Sequence, residues 1–348
     1  MSEDANYHIG TLDDSGDARW DHFVTACPEA TLFHRAGWRR VIERVFGHRA
    51  RFLYAERDGQ IRAILPLVHV RSLFFGNALI SNAFCIGGGS VGSEDEACEA
   101  LDRQALQLME ELGADYLEYR QPVRLHEGWA SRSGLYATFA KPIEPDPDKA
   151  LAQIPRKQRP VVRRGIASGV VDVVDDTVDR LYDLFAGTMH RHGTPVFARD
   201  YLVELKRAFG PDCEILTAMH GGQPVSSVLS FYFRDRVMPY YAGVSPAARD
   251  LGANDFLYWR LMRRAIEERG CRVFDFGRSK VGTGPYAYKK NWGFEPTPVV
   301  HEFHLRKGKA MPDINPLNPR YQLLIALWKR LPLGLANLIG PHIVRSIG

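Results

Sequence analysis

Helical and strand periods alternate along the chain in the same order twice. In the second half, Tyr201 to Phe209 has a helical pattern, and EILTAMHGGQPVSSVLSFYF follows as two β-like runs joined at Gly221-Gly222. RVMPYYAGV is a further strand candidate. Between about Ala253 and Arg269, Phe256, Leu257 and Leu261, with Arg260 and Arg264, form the mixed face of a helix that Gly270 is placed to end. CRVFDFG then reads as a short buried strand. The first half offers RFLYAERDGQIRAILPL, then NALISNAFCIGG, then a helix after Ser93, where Ser93 and Glu96 have capping-box spacing, and finally the strand ADYLEYR. The order β-β-β-α-β in each half predicts α+β domains with central mixed, mostly antiparallel sheets and helices packed over them.

The residues repeat as well as the pattern. FGHRARFLYAERDGQ from Phe46 aligns without a gap with FGPDCEILTAMHGGQ from Phe209, at an offset of 163. Phe46, Gly47, Leu53, Ala55, Gly59 and Gln60 then meet Phe209, Gly210, Leu216, Ala218, Gly222 and Gln223. EELGADYLEYR from Glu110 aligns with EERGCRVFDFG from Glu267 at an offset of 157, which sets Glu118 opposite Asp275. Two ordered matches with offsets six residues apart point to a tandem duplication, with Gly59 and Gly222 in equivalent hairpins. The expected division is an N-terminal domain over 1–145, a C-terminal domain over 146–310 and a tail over 311–348, with prolines at 142, 145 and 147 in the connector.

Composition narrows the class of function. The chain is 45% hydrophobic and 25% charged, average for a globular protein and far from disorder or collagen. Its 45 Lys and Arg against 41 Asp and Glu give a formal net charge of +4, too small for a general nucleic-acid coat. DNA is not expected as a partner, and any polyanion must meet a local patch. Five widely spaced cysteines without a C-x-x-C pair are neither a disulfide framework nor a zinc ribbon. Asp4, Asp13, Asp14 and Asp17 replace the apolar stretch of a secretory signal, and no apolar run approaches the ~20 residues that cross a bilayer. A cytoplasmic protein is expected.

IPRKQRPVVRRG, YYAGVSPAARDLGANDFLYW, FDFGRS and GTGPYAYKKNWGF together resemble the FemAB family over nearly the whole chain. With WKRLPLGLANLIGPHIVRSIG at the end, the combination looks most like the subgroup found with exosortase/PEP-CTERM and exopolysaccharide systems. The resemblance implies two tandem GNAT-like (acyl-CoA N-acyltransferase-like) domains and transfer of an acyl or aminoacyl group to an amine of a cell-envelope or polysaccharide precursor. It further implies no tightly bound cofactor, with aminoacyl-tRNA or acyl-CoA as the donor substrate and tRNA as a candidate partner. An acyl-CoA-dependent N-acetyltransferase and a catalytically silent, membrane-docked adaptor of the same fold are the alternatives.

The donor signature of GNAT domains, Q/R-x-x-G-x-G/A, sets backbone N–H groups at a helix start against donor phosphates. Arg249, Gly252 and Asn254 hold those places here, so the last small residue is replaced. That departure suits aminoacyl-tRNA, and equally a loop with Asn254 as helix N-cap. YAYKKNWGF puts Tyr288 and Lys289 on the family's aromatic-lysine pair, which implies a lysine that steadies an oxyanion or holds a donor phosphate. A solvated loop lysine is the plain alternative. In FDFGRS, strand alternation sets Asp275 opposite Phe274 and Phe276. Asp275 then either takes a proton from the attacking ammonium, or orients the acceptor amine, or pairs with Arg278 as a structural bridge. In the cluster Arg156, Lys157, Arg159, Arg163 and Arg164, the residues Arg156, Arg159 and Arg163 at i, i+3 and i+7 give one helix side suited to a phosphodiester or a nucleotide-sugar pyrophosphate, with a solvated helix face as the plain alternative. They are expected to border one cleft with Lys289. His190 and His192, in a loop-like MHRHGTP, lack a nearby third ligand, so no metal is expected, and the GGG at 87–89 reads as a turn.

In the tail, Leu323, Leu324, Leu327, Trp328 and Leu331 fall at helical spacing, and Leu335, Leu338, Ile339, Ile343 and Val344 continue the apolar theme after Pro332. Trp328 beside Lys329 and Arg330 suits peripheral contact with the inner membrane. A helix pair packed on the protein's own surface is the other reading.

Overall fold

The computed structural model describes residues 7–72, 76–121, 125–312 and 319–346, without the side chains of 319–323. Residues 1–135, 298–313 and 345–348 form one compact unit, and 136–297 with 314–344 form a second.

The first unit is built on strands β1 (His8–Thr11), β2 (Arg49–Arg57), β3 (Gln60–Ser72), β4 (Gly76–Ser81), β6 (Tyr116–Gln121) and β7 (Ala130–Arg132), with the short β5 (Val91–Gly92) beside β3. A strand from far along the chain, β15 (Val300–Leu305), completes the order β1-β2-β3-β4-β6-β15-β7. Among the described residues β4 and β6 run parallel, and the neighbouring strands pair antiparallel. Helices α1 (Asp17–Ala26) and α2 (Gly37–Val41) carry the fully buried Trp20 and Trp38. Helix α3 (Asp95–Glu111) turns Ala97, Leu101, Ala105 and Met109 onto Leu53, Leu65, Leu67, Leu79 and Leu117 of the sheet. The expected capping box does not form: α3 follows Glu94 with no side-chain cap, and the Ser93 hydroxyl donates instead to the Arg62 carbonyl. Asp95 and Glu96 in the first turn meet the positive end of the helix dipole.

The second unit repeats this plan with β9 (Val171–Asp175), β10 (Cys213–His220), β11 (Gln223–Phe233), β12 (Arg236–Val244) and β13 (Val273–Lys280). Strand β8 (Tyr136–Pro142) and the short β14 (Thr297–Pro298) complete the order β9-β10-β11-β12-β13-β8-β14, and β12 and β13 run parallel. On one face lie α4 (Pro147–Gln153), α5 (Arg159–Ala167) and α9 (Ala253–Arg269), where Phe256, Leu257, Leu261 and Ala265 cover Leu216, Ala218 and Val228. Helices α6 (Asp179–His192) and α7 (Arg199–Phe209) pack on the other, through contacts such as Phe185 with Tyr241 and Phe209 with Phe231. Two shorter helices, α8 (Ala248–Leu251) and α10 (Gly284–Asn291), flank the ends of α9 and β13.

The hairpins match in detail. Arg57 pairs with Gln60 around Asp58-Gly59, and His220 with Gln223 around Gly221-Gly222. Each hairpin also slips register just after the aligned alanine, Ala55 in one and Ala218 in the other. A shared irregularity of this kind is a stronger mark of duplication than shared strands, because nothing in a generic hairpin requires a bulge there.

The division of the sequence differs from the expected one. Residues 136–142 pair with β13 rather than closing the first sheet, and 300–305 pair with β6 rather than closing the second. Local apolar alternation does not encode which sheet a strand joins, so the boundaries at 145 and 310 fall inside exchanged material.

The tail forms two further helices of the second unit, α11 (Pro319–Trp328) and α12 (Leu333–Val344). Ile325 lies over Gly193, where an added Cβ would sit 2.6 Å from its Cγ2. A ring nitrogen of His190 meets the Leu331 carbonyl at 2.9 Å, so His190 and His192 belong to the last turn of α6 rather than to a loop. On α12, Ala336 and Gly340 are buried, and an added Cβ at Gly340 would be 2.9 Å from the Val196 carbonyl oxygen.

Candidate active site

The two sheets differ most where their parallel strands meet. In the first unit β4 and β6 pair over four residues, from Ala78 with Tyr116 to Ser81 with Tyr119. The chain then folds back into the space beyond. The Gly88 N–H donates to the Arg120 carbonyl, and the Gly89 N–H to the Ser81 hydroxyl. An added Cβ at Gly88 would lie 2.2 Å from the Asn82 nitrogen, so the glycines at 87–89 act as a close-fitting plug rather than as a simple turn.

In the second unit β12 and β13 share only two residue pairs, Arg236 with Val273 and Val237 with Phe274. Beyond them the two strands part. Tyr240 and Tyr241 of β12 and Arg278 and Lys280 of β13 lie along this gap.

A bulge sets the course of β13 at the gap. Its pairing with β8 slips between Asp275 and Arg278, and Gly277 takes φ 63°. Asp275 holds the bulge from one side: one carboxylate oxygen accepts from the Gly277 N–H at 2.8 Å and the other from the Arg236 guanidinium at 2.9 Å. The bridge foreseen between Asp275 and Arg278 is therefore made by Arg236, and Arg278 instead lies over the Tyr136 ring at 4.3 Å. Lys289 holds the bulge from the other side. Its Nζ donates to the carbonyls of Phe276 at 2.5 Å, Gly277 at 3.2 Å and Arg278 at 3.0 Å. The residue is 9% exposed and lies on α10, not in a solvated loop. Burial pushes its pKa down to about 7, against the pull of the nearby Asp275 carboxylate.

The start of α9 is a second cluster. Gly252 is its N-cap with φ 67°, so Asn254 does not cap the helix; the Asn254 side chain accepts from the Ser226 hydroxyl at 3.2 Å. Helix α5 covers this start closely. An added Cβ at Gly165 would be 2.7 Å from the Gly252 carbonyl oxygen, and one at Gly252 would be 2.7 Å from the Val161 carbonyl oxygen. Asp255, in the first turn of α9, is buried, and its Oδ1 accepts from Gln158 at 2.5 Å, Tyr288 at 3.1 Å and Trp292 at 3.0 Å. Burial raises the Asp255 pKa above the ordinary carboxylate value, against these three donors. Tyr288 thus serves Asp255. Pro155 completes the joint by sitting 2.9 Å from the position of an added Cβ at Gly293. The IPRKQRP and YKKNWGF motifs therefore pack together around one acid.

The basic cluster is only partly one face. Arg156 precedes α5, which starts at Arg159, so the i, i+3, i+7 helical spacing does not hold for it. Arg156, Lys157, Arg163 and Arg164 are exposed, Arg159 is half-buried, and the exposed Arg249 lies on α8, whose end the Arg164 guanidinium reaches at the Arg249 carbonyl. The structure brings Lys289, Asp275 and Arg278 to the bulge, and Gly252, Asn254 and Tyr288 to the start of α9. Lys289 donates into the strand. Sequence reasoning missed Asp255, Arg236 and Gly165; of these only Asp255 carried a signal, as an acid in a first helical turn.

Residues 148–290 match the acetyltransferase (GNAT) domain family. The crystal structure of FemX aligns with 91% of this chain and 100% of its own length, at a TM-score of 0.68 and 16% identity. The C-terminal domain of a putative lysylphosphatidylglycerol synthetase from Agrobacterium fabrum aligns with 83% of this chain and 92% of its own, at 0.54 and 14%. A tandem GNAT protein from the clavulanic acid biosynthesis pathway aligns with 86% of this chain and 98% of its own, at 0.54 and 14%. No curated protein matches the sequence. The fold is thus a tandem pair of GNAT-like domains, and the second unit carries the part that matches the acyltransferase family.

Proposed function

We propose that the second unit transfers an aminoacyl group from aminoacyl-tRNA to an amine of a cell-envelope or exopolysaccharide precursor. The observation that carries this reading is the closed start of α9. The donor pyrophosphate of acyl-CoA needs free N–H groups at that helix start. Here the Val161 carbonyl oxygen of α5 lies against Gly252, and Asp255 already brings an acid into the first turn. Both features oppose a pyrophosphate there. An aminoacyl ester asks less of that spot, because its phosphates run along an extended strand that the exposed Arg156, Lys157, Arg163 and Arg164 suit.

In the reaction the neutral acceptor amine attacks the ester carbon. A C–N bond forms, the C–O bond to the ribose breaks, and the proton lost by nitrogen goes to the released ribose oxygen. The gap between β12 and β13 is the place for these atoms, since the two strands part there after Val237 and Phe274. Lys289 and Asp275 act as positioning residues: Lys289 fixes the carbonyls of the β13 bulge and Asp275 its Gly277 N–H. Envelope and exopolysaccharide precursors enter through the sequence resemblance to the FemAB family and its exosortase-associated subgroup. The match to an acetyltransferase family supports a second reading, N-acetyl transfer from acetyl-CoA.

The test incubates purified protein with labelled aminoacyl-tRNA or labelled acetyl-CoA, each with an extract of envelope precursors. Label leaving tRNA for an amide product stable to mild base is the expected result. Transfer from acetyl-CoA alone would overturn the donor assignment, and transfer from neither would overturn the enzyme reading.

A further inference from the structure

Among the described side chains of the tail, Ile325, Ala336 and Gly340 face the second unit, while several leucines of both helices are open. Leu324 and Leu327 on α11 are 59% and 52% exposed. On α12, Leu335, Leu338 and Ile339 follow at i, i+3 and i+4, with Leu338 at 69% exposure. Soluble surfaces carry isolated exposed leucines, but a run of them along two consecutive helices marks a surface that meets something.

Charge identifies the occupant. Residues 314–348 contain Arg320, Lys329, Arg330 and Arg345 and no Asp or Glu. Since the whole chain has 45 basic and 41 acidic residues, the remainder carries 41 of each sign. The entire formal net charge of +4 therefore sits in the segment that exposes the leucines. Lys329 and Arg330 lie exposed between α11 and α12, with the half-buried Trp328 just before them. No helix among the described residues is long and apolar enough to cross a membrane. An apolar face flanked by cations and free of acids matches the boundary between headgroups and acyl chains of an anionic bilayer. A second copy of this face would set cation against cation.

We infer that the outer face of the α11–α12 pair docks on an anionic lipid surface. The inference does not rest on the proposed reaction and is read without activity. Co-sedimentation with vesicles of phosphatidylcholine containing about a third phosphatidylglycerol is compared with pure phosphatidylcholine, at low salt and at about 1 M salt. Binding to the anionic vesicles alone, weakened by salt, is expected. Lys329→Glu with Arg330→Glu should weaken it by at least about twentyfold, taking about fivefold per cation near such a surface. Leu327→Glu and Leu338→Glu alter exposed side chains, so they should abolish binding while leaving the melting temperature within about 2 °C of wild type. Absence of vesicle binding at low salt overturns the inference. So does concentration-dependent dimerisation that the two leucine variants remove, because the face would then belong to a second copy.

Discussion

Replacing Lys289 by Met separates the role assigned to it from catalysis. Methionine preserves most of the stem volume but offers no donor, so the carbonyls of Phe276, Gly277 and Arg278 lose the bonds they share, three from the ammonium and two from the neutral amine that prevails at pH 9. Buried groups stranded in this way cost on the order of 1–3 kcal/mol each, less where they relax, so about 2–4 kcal/mol is expected for the bulge at pH 9. The pH dependence gives a sharper signature. With the folded-state pKa depressed from 10.5 to about 7, the unfolded chain holds a proton on Lys289 that the folded chain releases across that interval. Wild-type stability therefore rises with pH between about 7 and 10.5, at up to about 1.4 kcal/mol per pH unit, and is lower by that contribution below 7. The Met variant has no such slope, so its deficit should shrink by roughly 2 kcal/mol between pH 9 and pH 7. Urea unfolding followed by tryptophan fluorescence measures both. A variant as stable as wild type at every pH, yet inactive, would refute the structural role and return Lys289 to the reacting atoms.

Asp255→Ala should cost about 2–4 kcal/mol in urea, because Gln158, Tyr288 and Trp292 lose one shared acceptor; Asp255→Asn keeps an acceptor oxygen and should cost less than half as much. Equal losses in the two would show that the joint does not depend on that oxygen. In the first unit His126 bridges Asp102 at 3.1 Å and Glu302 at 3.2 Å, and although burial opposes its charge, these carboxylates raise its pKa above 6.5. Its stabilising contribution is present below 6.5 and is lost as pH rises through the folded-state value, so His126→Gln should be more damaging at about pH 5.5 than at about pH 8.5. A deficit that grows towards alkaline pH would contradict the bridge.

Helix α9 was legible nearly to the residue because its turns are bracketed by Gly252 and Gly270, both in the left-handed region that favours glycine. The hairpins at Gly59 and Gly222 were legible for the same reason. Side chains that work through distant partners were not. The motif singled out Lys289 over Lys290 but not its surroundings: the first is buried on three carbonyls and the second is exposed, because α10 presents one side to β13. Asp275 looked like a partner for Arg278 three residues on, but the bulge turns its carboxylate toward Arg236 on the adjacent strand. The motifs at 154–160 and 286–294 were visible as motifs; that they meet at Asp255 depends on packing about a hundred residues apart in sequence.

The exchanged strands constrain the order in which the protein can be finished during synthesis. The first sheet takes β15 between β6 and β7, and Glu302 of that strand is fully buried, accepting from the Gln121 side chain and from the N–H groups of Leu125 and His126. Tyr119 and its partner Glu302 are 183 positions apart. A ribosome must therefore release nearly the whole chain before the part that emerges first can close its own sheet, and until then β6 presents a bare edge. The second sheet meets no such delay, since β8 precedes the strands it joins. Assembly should consequently run from the later half back to the earlier one, and fragments cut at the midpoint of the sequence should yield a nascent first half that recruits chaperones rather than a free-standing domain.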